Sequence, residues 1–145
     1  MARRQKTILC VDDNQSSLKI CKIILEDVGY RVLTSSSARE GLEVFASDAI
    51  DAVILDYQMP EMNGELVAAE MRRTKPRVPI LMLSGWVSPP ESALQLVDEF
   101  VAKGDPVEFM LLAVHQVLSR RRERKPVRAV TQSRVASCGS EARIV

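Results

Sequence analysis

Asp51-Ala52-Val53-Ile54-Leu55-Asp56-Tyr57-Gln58-Met59-Pro60-Glu61-Met62-Asn63-Gly64 is the stretch on which the fold turns. Four apolar residues in succession, two of them β-branched, with turn chemistry close behind, read as a short strand buried on both faces. Such strands belong to a parallel sheet covered by helices. This one ends on a carboxylate. In open α/β sheets the ligand crevice lies outside the carboxyl ends of the strands, which places Asp56 where chemistry happens. A polar residue at a strand end is also the ordinary first residue of a loop, so Asp56 gains weight only from what the other strands end in.

Residues 6–11 form a second apolar strand that runs into Asp12 and Asp13. Asn14 can cap the helix that follows, with Leu18, Cys21, Leu25 and Val28 as its apolar stripe and Gly29 as its stop. Residues 30–34 read as a more exposed strand. Ser37 and Glu40 make a capping box, and Leu42, Val44, Phe45 and Ala46 supply the stripe of the helix it opens. Beyond the Pro60–Gly64 loop, Leu66, Val67 and Met71 mark a helix ending before Pro76. Residues 78–83 are a strand leading into Ser84-Gly85-Trp86, residues 91–96 a short helix, and residues 99–102 a strand ending at Lys103. Asp105, Pro106 and Glu108 open a last helix, striped by Phe109, Leu112, Ala113 and Val117 and extending toward Arg124. Five strands alternating with five helices specify an α/β three-layer sandwich, a doubly wound parallel sheet closed by right-handed crossovers.

The 145 residues suit one domain with a tail, and 46% hydrophobic with 27% charged residues is the balance of a soluble globular protein. No apolar run approaches the roughly 20 residues a membrane span needs, so the expected location is cytoplasmic, with no membrane partner. Three cysteines at scattered positions give neither a disulfide framework nor zinc spacing; Cys10 and Cys21 read as small core residues and Cys138 lies in the tail. Residues 119–145 hold eight basic and two acidic side chains, +6, against twelve and seventeen, −5, in residues 1–118. The basic run 120–125 reads as a solvated helix end. Without an aromatic platform it gives no ground for specific nucleic-acid binding. The expected organisation is a short extension (1–5), one domain (6–119) and a basic helix end with a disordered tail (120–145).

Side by side, the strand ends supply Asp12, Asp13, Asp56, Ser84 and Lys103. Three carboxylates in one crevice repel each other, so they take up protons or hold a cation. Oxygen donors without His or Cys suit a hard, partly hydrated divalent ion, Mg²⁺ or its close substitute Mn²⁺. Three carboxylates, one lysine and one divalent ion sum to about zero charge, which leaves the crevice able to accept an anion such as a phosphoryl group. Asp56 is the nucleophile placed to take it as an acyl phosphate, with the Lys103 ammonium and Ser84 hydroxyl on the phosphoryl oxygens.

This pattern, Asp12-Asp13, Asp56, Met59-Pro60 through Gly64, Ser84 and Lys103 on alternating strands and helices, resembles the receiver domain of two-component response regulators over roughly residues 6–119. The resemblance implies the flavodoxin-like, CheY-like strand order 2-1-3-4-5. It implies Asp56 as phosphoacceptor, Asp13 as direct metal ligand, Asp12 as a ligand through water, and the Gln58 backbone carbonyl as the remaining protein ligand. It implies Ser84 and Phe100 as the switch residues, the aromatic ring turning inward as the hydroxyl swings to the phosphoryl group. A core phenylalanine is the competing reading of Phe100. The implied partners are a histidine kinase or histidine phosphotransfer protein upstream and a downstream protein target for a stand-alone receiver, with a homodimer as a further option.

The chain departs from the family in three places. Lys103-Gly104-Asp105-Pro106 stands where lysine is usually followed directly by proline, the stretch from Ser84 to Lys103 is shorter by about one helical turn, and Gln58 and Trp86 occupy positions that tune acyl phosphate hydrolysis. A bulky Trp86 predicts slow self-dephosphorylation. An aspartate-nucleophile, Mg²⁺-dependent phosphatase needs a titrating group two residues beyond the nucleophile, where this chain has Gln58, an amide. A receiver-like interaction module that is never phosphorylated is the other alternative. The one histidine, His115, reads as an ordinary helix residue rather than a phosphodonor.

Overall fold

A computed structural model describes residues 4–85 and 88–120; Trp86 and the basic tail, with Cys138, lie outside the described residues. Five parallel strands, β1 (Thr7–Val11), β2 (Arg31–Ser35), β3 (Ala52–Asp56), β4 (Ile80–Ser84) and β5 (Glu99–Ala102), form one sheet in the order β2-β1-β3-β4-β5. Between and after them run α1 (Gln15–Asp27), α2 (Ala38–Ser47), α3 (Gly64–Thr74), the single turn α4 (Glu91–Leu94) and α5 (Val107–Arg120). The expected architecture and strand order are both present.

β1, β3 and β4 are buried at every position, as a sheet covered on both faces requires. Side-chain alternation splits the core in two. Leu9, Val11, Val53, Leu55, Ile80 and Met82 pack toward α2 and α3, while Ile8, Cys10, Ile54, Leu81 and Leu83 pack toward α1 and α5. The helix starts follow side-chain chemistry. Asn14, Ser37 and Asn63 each accept a backbone N–H from the third residue onward, Ser17, Glu40 and Leu66, at 3.0, 3.1 and 3.1 Å. Gly29 ends α1 at φ 104°, a conformation that favours glycine.

Several apolar residues expected inside are outside. Val28, Leu66, Phe109 and Leu112 are exposed, and so is Ala46. In α5 the inward face is Met110, Ala113, Val114 and Val117, an i, i+3, i+4, i+7 set displaced from the expected one because two apolar faces compete along that helix. In α2 the face is Ala38, Gly41 and Phe45; Gly41 is needed there because a Cβ would lie 2.9 Å from a Val11 methyl.

The edge of the sheet where the strands begin is tied by two charged clusters. Asp51 accepts both guanidinium nitrogens of Arg4 (3.2 and 2.7 Å) and the Thr7 N–H (2.7 Å). Burial alone would raise its carboxyl, but those donors win and hold it below the usual range. Arg72, near the end of α3, donates to the carbonyls of Leu96 (2.8 Å) and Pro76 (3.0 Å) and to Asp98 (2.6 Å). Asp98 also accepts the Ile80 N–H at 2.8 Å, so one ion pair joins α3 to the starts of β4 and β5.

At the opposite edge, the Ser35 hydroxyl is buried without a hydrogen-bond partner among the described residues. A buried, unsatisfied hydroxyl costs about 1 kcal/mol or more. Ser35→Ala is therefore expected to raise stability by about 1 kcal/mol, read from the urea midpoint at unchanged m-value; a loss of stability would show that the hydroxyl is satisfied.

Candidate functional site

Parallel pairing brings the candidate residues to one edge. Asp56, the last residue of β3, stands opposite Leu83, and Ser84, the last of β4, opposite Ala102. Asp12 follows β1 directly and is anchored by its N–H to the Ser35 carbonyl at 3.1 Å. The Tyr57 N–H donates to the Leu83 carbonyl (2.9 Å) and the Lys103 N–H to the Ser84 carbonyl (2.8 Å), which holds the residues after β3 and β5 against β4.

Asp12, Asp13 and Asp56 each offer a carboxylate oxygen within 4.8 Å of the others. Asp12 and Asp56 are 5% exposed, whereas Asp13 is open to solvent. The Lys103 ammonium lies 2.8 Å from Asp12 Oδ2 and 3.4 Å from Asp56 Oδ1. Burial would lower the Lys103 pKa, but the bond to Asp12 and the two carboxylate charges outweigh it and raise it. Asp56 moves the other way: burial and the Asp12 charge push its carboxyl up to about 6, in spite of Lys103. One lysine does not neutralise this crevice. The donor set fits a hard divalent cation, since it is carboxylate oxygen with no sulfur or imidazole in the group.

Ser84 is 1% exposed at the tip of β4. Gln58 is exposed in the loop beyond Asp56, and Met59 behind it is buried. Phe100, opposite Met82 on β5, is 38% exposed, so it is not a core phenylalanine. His115 is exposed on α5. The Lys103-Gly104-Asp105-Pro106 segment forms a turn in which the Asp105 N–H meets the Ala102 carbonyl at 3.1 Å, with no cis peptide among the described residues. α4 is a single turn, as the short spacing from Ser84 to Lys103 indicated.

Two supporting contacts were not read from the sequence. The Asn14 N–H donates to Asp12 Oδ1 at 2.9 Å, which leaves Oδ2 to Lys103. At Gly64 a Cβ would fall 2.7 Å from the Asp56 carbonyl oxygen and 2.8 Å from Tyr57 Cα. The sequence signal for the first was Asn14, since Asn at a helix N-cap fixes the loop before it; the close approach at Gly64 has no local signal.

The chain matches the response regulator receiver domain over residues 8–104. It is 32% identical over 116 residues to the response regulator SaeR of Staphylococcus aureus, an alignment covering 78% of this chain and 50% of SaeR; it thus spans about half the length of that relative. Among solved structures, a CheY-like receiver domain protein of Methanospirillum hungatei superposes with TM-score 0.78 at 26% identity, covering 83% of this chain and 98% of the other. TrrA of Thermotoga maritima, solved in complex with Mg²⁺ and BeF, superposes with TM-score 0.73 at 32% identity, covering 78% and 99%. Fold, strand-end constellation and sequence agree: the chain belongs to the response regulator receiver domain family of two-component signalling.

Proposed function

We propose that the protein takes a phosphoryl group on Asp56 from a histidine kinase or histidine phosphotransfer protein and thereby changes the face it offers to a downstream protein target. The observation that carries this reading is the shared lysine: Lys103 pairs with both Asp12 and Asp56 inside a three-carboxylate crevice. Asp13 and Asp56, the Gln58 backbone carbonyl and, through water, Asp12 would hold Mg²⁺ or Mn²⁺. Bound there, the cation would offset negative charge as the phosphoryl group arrives.

The chain's own residues do the rest. A carboxylate oxygen of Asp56 attacks phosphorus while the bond from phosphorus to the donor breaks, leaving an acyl phosphate on the protein. As the phosphoryl group settles, Lys103 exchanges a carboxylate partner for a phosphoryl oxygen, and the Ser84 hydroxyl donates to another. The outward Phe100 ring then has a reason to move, because Ser84 and Phe100 lie on neighbouring strands, Ser84 opposite Ala102 and Phe100 opposite Met82. Output is by binding, and the only chemistry is gain and loss of the phosphoryl group, as expected of a signalling domain rather than a metabolic enzyme.

Incubation with Mg²⁺ and acetyl phosphate or phosphoramidate should add the mass of one phosphoryl group to the intact protein. No addition is expected with EDTA or in Asp56→Asn. Labelling that survives Asp56→Asn would overturn the assignment, as would the absence of any labelling in the presence of the metal.

A further inference from the structure

Between α2 and α3, on the side of the sheet away from α1 and α5, lies a groove of about 440 Å³ lined by Leu42, Ala46, Met62, Leu66, Glu70 and Thr74. Leu66 is 58% exposed there, beside the half-buried Leu42 and Met62, so an apolar strip faces solvent. Helices that connect parallel strands run back against them, and α2, α3 and α5 all finish at the edge where the strands begin. Ala46 and Thr74 belong to the last turns of α2 and α3. Arg120, the last residue of α5, pairs with Glu99 at the start of β5 at 2.9 Å. The chain therefore leaves α5 at the edge onto which the groove opens.

We propose that residues 127–136 of this chain, Val-Arg-Ala-Val-Thr-Gln-Ser-Arg-Val-Ala, dock in the groove between its own α2 and α3. The path from Arg120 crosses the sheet and two or three strands, about 22–25 Å for layers about 10 Å apart and strands about 4.8 Å apart. Seven extended residues, enough to bring Val127 to the groove, span about 23–25 Å. Val127, Val130 and Val135 then supply apolar side chains to the strip of Leu42, Met62 and Leu66. Charge agrees. The segment carries Arg128 and Arg134 and no acid, while Glu70 lines the groove, shared with Arg73. Glu40 and Glu43 stand exposed on α2 with no ion pair among the described residues. The cleft between α1 and α5 is the poorer seat, because it lies beside Val107 and Lys103, at the far end of α5 and next to a cation. Tethering favours this segment over a second copy, since a short flexible linker supplies an effective concentration of about millimolar. A segment seated in the groove abuts Met62, in the loop that leaves Asp56.

The test is methyl NMR of the full chain carrying Cys21→Ser and a nitroxide on Cys138, just beyond the segment; Cys10 is buried and stays unlabelled. In dilute solution the Leu42, Met62 and Leu66 signals should lose most of their intensity, while those of the exposed Ile20 and Ile23 on α1 keep theirs. Val127→Asp combined with Val130→Asp, a change confined to the segment, should restore the groove signals. Equal losses on both faces, no loss at the groove, or a loss that the double variant leaves unchanged would overturn the proposal. Mixing spin-labelled chain with isotopically labelled chain that lacks the nitroxide separates a second copy from the chain's own segment. Groove signals should hold in that mixture; if they fall, the occupant is a neighbouring molecule and the proposal is lost.

Discussion

Gly64→Ala is expected to destabilise the domain by about 2 kcal/mol, although alanine is the better helix former by up to about 1 kcal/mol. Two effects of opposite sign compete at this position. Gly64 opens α3, where helix propensity would reward the methyl group. The same methyl would stand 2.7 Å from the Asp56 carbonyl oxygen, 2.8 Å from Tyr57 Cα and 3.2 Å from the Met82 methyl. Met82 can give way, but the two backbone atoms cannot without moving the loop. The Gly64 N–H also donates to the Tyr57 carbonyl at 2.7 Å, so the clash forces apart groups that are bonded. Overpacking against fixed atoms costs about 1–3 kcal/mol and outweighs the propensity gain. Gly104→Ala is the control: nothing lies within 4 Å of its added Cβ, and its change should stay within about 0.5 kcal/mol. Urea unfolding of both variants without metal checks the ordering. Because the displaced atoms belong to Asp56 and Tyr57, Gly64→Ala should also slow labelling by acetyl phosphate in whatever fraction stays folded.

In metal-free solution at pH 7, Asp56→Asn should be more stable than the parent by about 2 kcal/mol. Asp56 is held at about 6 against an ordinary 3.8, through burial and the Asp12 charge. Between those values the folded state binds more protons than the unfolded state. Stability therefore falls as pH rises from about 4 to about 6 and stays reduced above that. An amide carries no charge to bury and escapes the penalty. The gain is less than the full shift implies, because Lys103 loses its contact at 3.4 Å. Below pH 4 the parent carboxyl is protonated in both states, and the difference should close. With Asp56 as a ligand in the proposed site, Mg²⁺ should reverse the order at neutral pH, since the amide would offer the ion a weaker donor than the carboxylate. Thermal unfolding from pH 4 to 8, with EDTA or with Mg²⁺, reads all three regimes. A parent that is the more stable protein at pH 7 in EDTA would show that the crevice is neutralised by other means.

Three strand ends were legible in the sequence because their apolar runs stop at a residue that cannot be buried alone, Asp12, Asp56 or Lys103. Parallel order then brings those ends together without further information. Helix faces were less legible where apolar residues exceed the face that packs. Phe109 and Leu112 compete with Met110 and Val114 for one side of α5, and only the shape of the sheet decides between them. Arg72 with Asp98 and Arg4 with Asp51 lie 26 and 47 residues apart in the chain. No local pattern announces such pairs. The close approach at Gly64 was hidden for another reason: glycine at the start of a helix has many uses, and its neighbours across the loop come from folding alone.

Those two distant pairs sit at the same end of the sheet, away from the carboxylates. The starts of β1, β3, β4 and β5 are thus clamped by satisfied charge, while the opposite rim of the sheet carries like charges in close company. Amide exchange should be slowest near Thr7, Ile80 and Asp98, and a phosphoryl group arriving at the far rim would find a lever whose fulcrum is already fixed.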